Sequence, residues 1–441
     1  MKKYDNYKDS GIEWIGRVPE HWESWKISHA FNRVGSGTTP ESGNPIYHEN
    51  GTISWLNTGD LNDGILESCS KKVTEKALED YSALKTFPAG SLVMAMYGAT
   101  IGKTCIIDFE TTTNQACCVF CKGNIIDVNF LQYWFIGNKE HIINLAIGGG
   151  QPNISQAILK DIRIWCPNMS EQIEQTNYLD NKTNKIDSLI AKKEQFISLL
   201  QEERIALINQ AVTKGLDSNV NMKDSDIEWL GEIPEHWEVT RLANFGEFFK
   251  GRGITKADLT EEGISVVLYG DIYTKYNIKT EKLVRKTSIE NAKIATKIFN
   301  GDLLFTASGE TKEDIGKCIV FIGKEESVAS GDVVIFRQNI NDSLFLGYVF
   351  NSYNVINQKA RLSKGEIVVH IYSSQLRNIH FAIPPLEEQI EIREFIDLKT
   401  EEIQNIISKT QQEIELLKEY KTTLISEVVT GKIDVREAIL N

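Results

Sequence analysis

The chain spells one phrase twice. Asp9–Glu23 reads DSGIEWIGRVPEHWE and Asp224–Glu238 reads DSDIEWLGEIPEHWE, with eleven of fifteen positions identical. The offset of 215 residues is close to half of the 441-residue chain and far longer than a solenoid period. The polypeptide is therefore expected to carry two copies of one domain, related by an approximate two-fold axis. Each copy is long enough to bury its own core. Such a molecule presents two similar surfaces, so its partner is expected to have two similar faces.

A long helical stretch closes each copy, roughly 170–212 and 387–429, with neither Pro nor Gly inside it. A heptad stripe runs along both. In the first it contains Leu179, Ile186, Ile190, Ile197 and Leu200; in the second, Ile396, Ile403, Ile407, Ile414 and Leu417. Apolar stripes sustained over four to five heptads predict a coiled coil. A perpendicular two-fold makes the two helices antiparallel. About 42 residues at 1.5 Å each give a rod of roughly 60 Å. The alternative is that each helix packs onto its own domain. Both helices begin near proline and acidic residues (CPNMSEQIEQ, IPPLEEQIEI) and stop near Gly215 and Gly431. The tail TGKIDVREAILN resembles the linker between the copies, which predicts a circularly closed arrangement with both termini near one end of the rod.

Between phrase and helix lie about 140 residues in each copy, rich in short β-like runs broken by Gly, Asn and Asp. ISWLNTGDL and GSLVMAMYGATIGKTCII in copy one answer to ISVVLYGDI and GDLLFTASGE in copy two, and each segment adds a short helical piece. The fold class expected is α/β: two mixed α/β domains with curved sheets, joined by two long antiparallel coiled-coil helices. The divisions expected are 1–166, 167–216, 217–383 and 384–441. The frame repeats while the loops diverge, so one architecture is expected to read two different things.

The net charge of −13 argues against a polybasic nonspecific nucleic-acid binder. It leaves room for a specific one, because much of the acid lies on the predicted helices. No run of about 18 apolar residues occurs, and MKKYDNYKDS has no apolar signal-peptide region, so a cytoplasmic protein is expected. Seven cysteines make no disulfide framework. CCVFC, Cys117–Cys121, reads as a buried strand rather than a metal site, since neither a histidine nor a second CxxC accompanies it.

Catalytic motifs are incomplete. GATIGKT, Gly98–Thr104, has three residues between its glycines where a phosphate loop needs four, and reads as a loop between strands. Asn44–Tyr47, NPIY, lacks the second proline of an adenine-methyltransferase loop. His21 and His236 sit beside tryptophans and read as polar anchors. No chemistry is expected of this chain, and no metal or cofactor of its own. Loop residues suited to base edges and phosphates remain. Copy one offers Ser36, Thr38, Thr39, Tyr97, Thr100, Lys103, Asn114, Gln115, Gln151 and Asn153. Copy two offers Lys250, Arg252, Tyr269, Lys275, Tyr276, Lys312, Lys317, Arg361, Ser363 and Lys364.

The doubled order of the IEW…G…PEHW phrase, divergent segment, proline-led EQ helix start and VT…G exit (VTKG, then VTG) resembles the specificity subunit of type I restriction–modification enzymes, over nearly the whole chain. The resemblance implies two target recognition domains, each reading one half of a split, asymmetric site in double-stranded DNA, and a helical spacer between them. It implies docking of two adenine-methylating modification subunits, which bind S-adenosylmethionine, and of two motor and nuclease subunits that use ATP and Mg. Copy two lacks the GTTP loop of Gly37–Pro40, so contacts there do not carry across. A rod of roughly 60 Å spans on the order of 18 base pairs at about 3.4 Å each, and the unread gap is expected to be shorter. Phosphate clamping by the modification subunits would make DNA binding by the isolated chain weak. The rival readings are a coiled-coil adaptor bridging two proteins without DNA, and an autonomous enzyme.

Overall fold

The structure, a computed structural model, describes residues 2–146, 153–366 and 368–438. It falls into two units: Met1–Glu194 with Gln411–Asn441, and Gln195–Thr410. The division passes through both long helices, which span Met169–Lys214 and Leu386–Val429, so each unit holds part of each helix.

Unit one is built on a five-stranded sheet in the order Phe31–Gly35, Cys117–Gly123, Leu92–Ala95, Thr104–Ile107, Ile65–Leu66. The first three junctions are antiparallel and the last is parallel. Unit two repeats that order and those directions with Glu247–Lys250, Val333–Arg337, Leu303–Thr306, Cys318–Phe321 and Lys279–Thr280. A smaller sheet around Ile53–Leu56 accompanies the first, and one around Ile264–Val267 the second.

The CCVFC run is the strand that both faces of unit one's sheet bury. Cys117, Val119 and Cys121 pack with Leu56 and Phe87 on one side. Cys118 and Phe120 meet Phe130, Leu131 and Phe135 on the other. A strand covered on both faces has no polar alternation to show. Its cysteines are free thiols, and no cluster of metal-ligating side chains occurs among the described residues.

The repeated phrase folds into a hairpin whose second strand leads into a clasp. Strand Tyr7–Asp9 pairs with Arg17–Pro19, and Met222–Asp224 with Glu232–Pro234. Gly16 and Gly231 sit at φ near +68° and +66°, where a side chain is strained. The buried Trp22 donates its indole N–H to Glu171 Oε1 at 3.3 Å, and His21 Nε2 lies 2.9 Å from Glu171 Oε2. In the second copy Trp237 and His236 meet Glu388 at 3.1 and 2.7 Å. The glutamine that follows each glutamate ties down the globular part: Gln172 accepts from the Asp127 N–H, and Gln389 from the Asp342 N–H. Thus the phrase and the EQ of the helix start form one device, used twice. Tyr133 and Tyr348 add a second tie, donating to Asp180 at 2.6 Å and Asp397 at 2.5 Å on the long helices.

The helices pair within each unit. In unit one Lys421 meets Asp187 at 2.7 Å and Lys193 meets Glu413 at 2.5 Å; in unit two Arg204 donates to Gln404 at 3.3 Å. Numbers rise along one helix as they fall along the other, so the pairing is antiparallel. Leu200, Ile403 and Ile407 bury one another, with Ile197 against them. Leu179 and Ile186 lie in unit one's core, with Ile190 and Leu417 packed on it, and Ile396 lies in unit two's core. Ile414 is also buried. The stripe therefore serves two purposes: mutual helix pairing, and anchorage of each globular part. The tail completes unit one: Gly431 abuts Pro19 and Trp22 as Gly215 abuts Trp237, and the Asp434 N–H donates to the Lys2 carbonyl at 3.0 Å.

Burial loads the two units differently for alkaline conditions. It pushes the thiols of Cys105, Cys118 and Cys166 up to about 12, and raises Cys117 further. Unit two has one such thiol, Cys318, and one buried amine. That amine, Lys359, donates to the Gly316 and Phe350 carbonyls and is lowered by burial to about 8. A thiol raised in the folded state contributes stability that is fully present below about 9 and lost as pH climbs toward 12, by up to about 1.4 kcal/mol per thiol per pH unit. The lowered lysine works in the opposite sense: the unfolded chain binds the extra proton between about 8 and 10.5, so stability rises with pH there. Unit one should lose stability between pH 9 and 10.5 while unit two holds. Tryptophan fluorescence reports mainly on unit one, through Trp14, Trp22, Trp25, Trp55, Trp134 and Trp165. Its urea midpoint should fall across this window, and an unchanged midpoint would contradict the assignment.

Candidate nucleic-acid interface

In each unit the loops at one end of the main sheet converge. In unit one these are the loop after Phe31–Gly35, the turn before Cys117, and the turn between Leu92–Ala95 and Thr104–Ile107. Thr39 Oγ1 donates to Gln115 Oε1 at 2.5 Å, and Asn114 Nδ2 to Asn57 Oδ1 at 3.1 Å. The Thr38 carbonyl accepts from the Trp55 indole at 3.2 Å. Tyr97 bridges to Asn153. The structure thus brings Thr38, Thr39, Tyr97, Asn114, Gln115 and Asn153 onto one rim, with half-buried Ser36 beside them. Thr100 and Lys103 close the GATIGKT turn, the Lys103 N–H meeting the Thr100 carbonyl at 2.9 Å. This segment is a loop between strands, with one tight helical turn at Gly98–Thr100. Gln151 lies outside the described residues.

Gly37 explains why the loop opens on small residues. A Cβ there would stand 1.8 Å from the Thr113 carbonyl oxygen. Beside the rim lies a cleft of about 530 Å³ lined by Thr39, His48, Trp55, Lys71 and Lys72 among others. Lys71 sits over the Trp55 ring, 5.9 Å from its centre.

Unit two builds the same rim from charged groups. Lys250, which ends the strand Glu247–Lys250, and Arg252 in the loop after it are exposed, and Gly251 between them has no room for a Cβ: Ser330's carbonyl oxygen would be 1.8 Å away. Tyr269 and Lys275 line a cleft of about 850 Å³ with Lys256 and Arg285. Lys312 is exposed in the loop after Ser308–Gly309. Arg361 lies in the last turn of the helix Tyr353–Leu362, and Ser363 and Lys364 follow it, Lys364 bridging to His370.

Two of the residues expected at the rim are turned inward. Lys317 is half-buried and spends its ammonium on the Tyr273 and Tyr276 carbonyls at 3.3 and 2.8 Å; burial lowers its pKa. Tyr276 is buried, its hydroxyl accepting from the Val284 N–H at 2.8 Å. Both hold the fold, and their polarity alone could not reveal that. The sequence did not single out Asn57, Lys71, Asp271 or Arg285. The match of ISWLNTGDL with ISVVLYGDI, which pairs Asp60 with Asp271, was the signal available for the rim.

Comparison with known proteins agrees with this architecture. The family model described as type I restriction modification DNA specificity domain matches residues 19–198 and again 234–416. The chain is 24% identical to the type I restriction enzyme MjaVIII specificity subunit of Methanocaldococcus jannaschii, covering 98% of this chain and 97% of that one. It is 21% identical to the EcoKI specificity subunit of Escherichia coli over 86% and 82% of the two chains. Among solved structures, the HsdS subunit of Thermoanaerobacter tengcongensis superposes with a TM-score of 0.57 at 12% identity, covering 94% of this chain and 98% of that one. A chain from a type I R-M system studied for complex assembly reaches 0.72 at 13% identity, covering 94% and 99%. The family model covers well over half the residues, one match in each copy, and the chain belongs to the type I restriction–modification specificity subunits.

Proposed function

We propose that this chain reads a split DNA site, one half with each unit, for a type I restriction–modification complex. The carrying observation is the pair of corresponding rims with different chemistry. Unit one presents amides and hydroxyls, with Lys71 and Lys72 beside them; unit two presents Lys250, Arg252, Lys256, Lys275 and Arg285 on the same frame. Equal frames with unequal readers suit an asymmetric bipartite sequence, because base edges are distinguished by donor and acceptor pattern. The chain itself is non-catalytic in this reading. Methyl transfer with S-adenosylmethionine, and ATP- and Mg-dependent translocation and cutting, belong to partner subunits.

The long helices set the unread gap and dock the modification subunits. Exposed Leu189, Phe196, Leu199 and Ile205 on one helix, and Leu398, Ile406 and Leu416 on the other, supply apolar surface beyond what the helix pairing uses. No helix among the described residues is long and apolar enough to cross a membrane, so these side chains are not a span.

Mapping methylated adenines across the source genome, with and without this gene, tests the reading. One bipartite motif should vanish with the gene, and an unchanged methylation map would refute it. Inserting four residues into one long helix should alter the gap or abolish modification while both half-sites keep their bases. A changed base preference would contradict the spacer role.

A further inference from the structure

The cleft of unit two holds an arrangement that its counterpart in unit one lacks. Asp271 is 5% exposed, and its Oδ1 lies 3.5 Å from Arg285 Nε. Its Oδ2 is buried with no hydrogen-bond partner, and so is the hydroxyl of Ser330, which follows the neighbouring parallel strand Ser327–Ala329. Both residues line the cleft. Buried polar atoms without partners are costly and mark places where something is missing. In unit one the matching Asp60 is fully spent: its oxygens accept from the Asn57 N–H at 2.9 Å and the Ser70 hydroxyl at 3.2 Å.

Arg285 opens the strand Arg285–Thr287 and pairs with Val266. Its Nε edge is turned to Asp271, and its terminal nitrogens make no hydrogen bond among the described residues. A guanidinium held by its Nε through a carboxylate presents a fixed fork of two donors. That fork matches two adjacent acceptors, and guanine offers such a pair, O6 and N7, in the major groove.

We infer that Arg285, held by Asp271, reads a guanine of a G·C pair in the half-site of unit two. This deepens the DNA-reading proposal and rests on it. Asp271 is a positioning residue here, and Arg285 the one that touches the base.

The test uses the complete complex, formed in cells with its modification subunits, and methylated-adenine mapping as readout. Arg285→Ala and Arg285→Lys should each reduce the preference for guanine at one position of one half-site by roughly ten-fold or more. Asp271→Asn should relax the same position, and the other half-site should stay unchanged. Arg285 is half exposed, so its substitution leaves the core intact; the amount of complex recovered checks this. Uniform weakening at every site with an unaltered motif would show a phosphate contact and overturn the assignment. An unaltered motif at full strength would also overturn it. If no methylated motif depends on the chain, the DNA-reading proposal itself fails, which is a separate outcome.

Discussion

Glu171→Leu should destabilise unit one by about 2–4 kcal/mol, more than Glu388→Leu destabilises unit two. The two glutamates hold the same place in the two copies, yet their loads differ. Glu171 is buried and accepts from the Tyr4 hydroxyl at 2.7 Å and the Trp22 indole at 3.3 Å, with His21 at 2.9 Å. Burial and the neighbouring carboxylate both push the Tyr4 pKa up, so that hydroxyl stays a donor. Leucine would strand these polar groups inside the clasp that joins hairpin to helix. Among the described residues Glu388 holds only His236 and Trp237 at such distances, and its side chain is 26% exposed, so water can replace it in part. Its loss should cost about 1–2 kcal/mol. Urea unfolding of both variants measures the difference. Equal losses, or a Glu171→Leu protein within about 0.5 kcal/mol of the parent, would count against the clasp.

Gly37→Ala and Gly251→Ala should each cost about 3 kcal/mol or displace the reading loop, while neighbouring Gly→Ala changes are silent. The added methyl at 37 would stand 1.8 Å from the Thr113 carbonyl oxygen, and at 251 the same distance from that of Ser330. Thr113 lies in a strand and Ser330 directly follows one, and a backbone carbonyl there cannot step aside as a flexible side chain can. Gly59 and Gly270 lie on the same rims, where an added methyl would meet nothing within 4 Å and the backbone is not left-handed. Alanine there should change stability by less than about 0.5 kcal/mol, or raise it slightly by restricting the unfolded chain. Thermal unfolding of the four single variants separates the classes. A silent Gly37→Ala would mean the loop does not sit where the structure has it.

The frame was legible in the sequence because its parts repeat. DSxIEW, PEHW and the EQ helix start stand at nearly constant offsets, and the structure shows the reason: each glutamate receives a His and a Trp from the phrase. The heptad stripe announced the helices, whose termini at Met169 and Leu386 fall within a residue of the expected starts. It concealed that Leu179 and Ile396 also sit in domain cores, since an apolar residue at an a position reads alike in either role. The rim was partly legible. Gly-rich loops pointed to Thr38, Thr39 and Asn114, but polarity could not separate Lys250, which is exposed, from Lys317, which is turned inward onto two carbonyls. Asp271 and Arg285 were missed because they come from a short helix and a strand start, apart in sequence, and only the folded sheet sets them side by side.

The most direct trial of the two-reader account is to exchange Ser24–Trp165 for the corresponding segment of another specificity subunit and map methylated adenines. The first half of the recognised sequence should change to that of the donor while the second half stays as it was. Change in both halves, or in neither, would contradict the account.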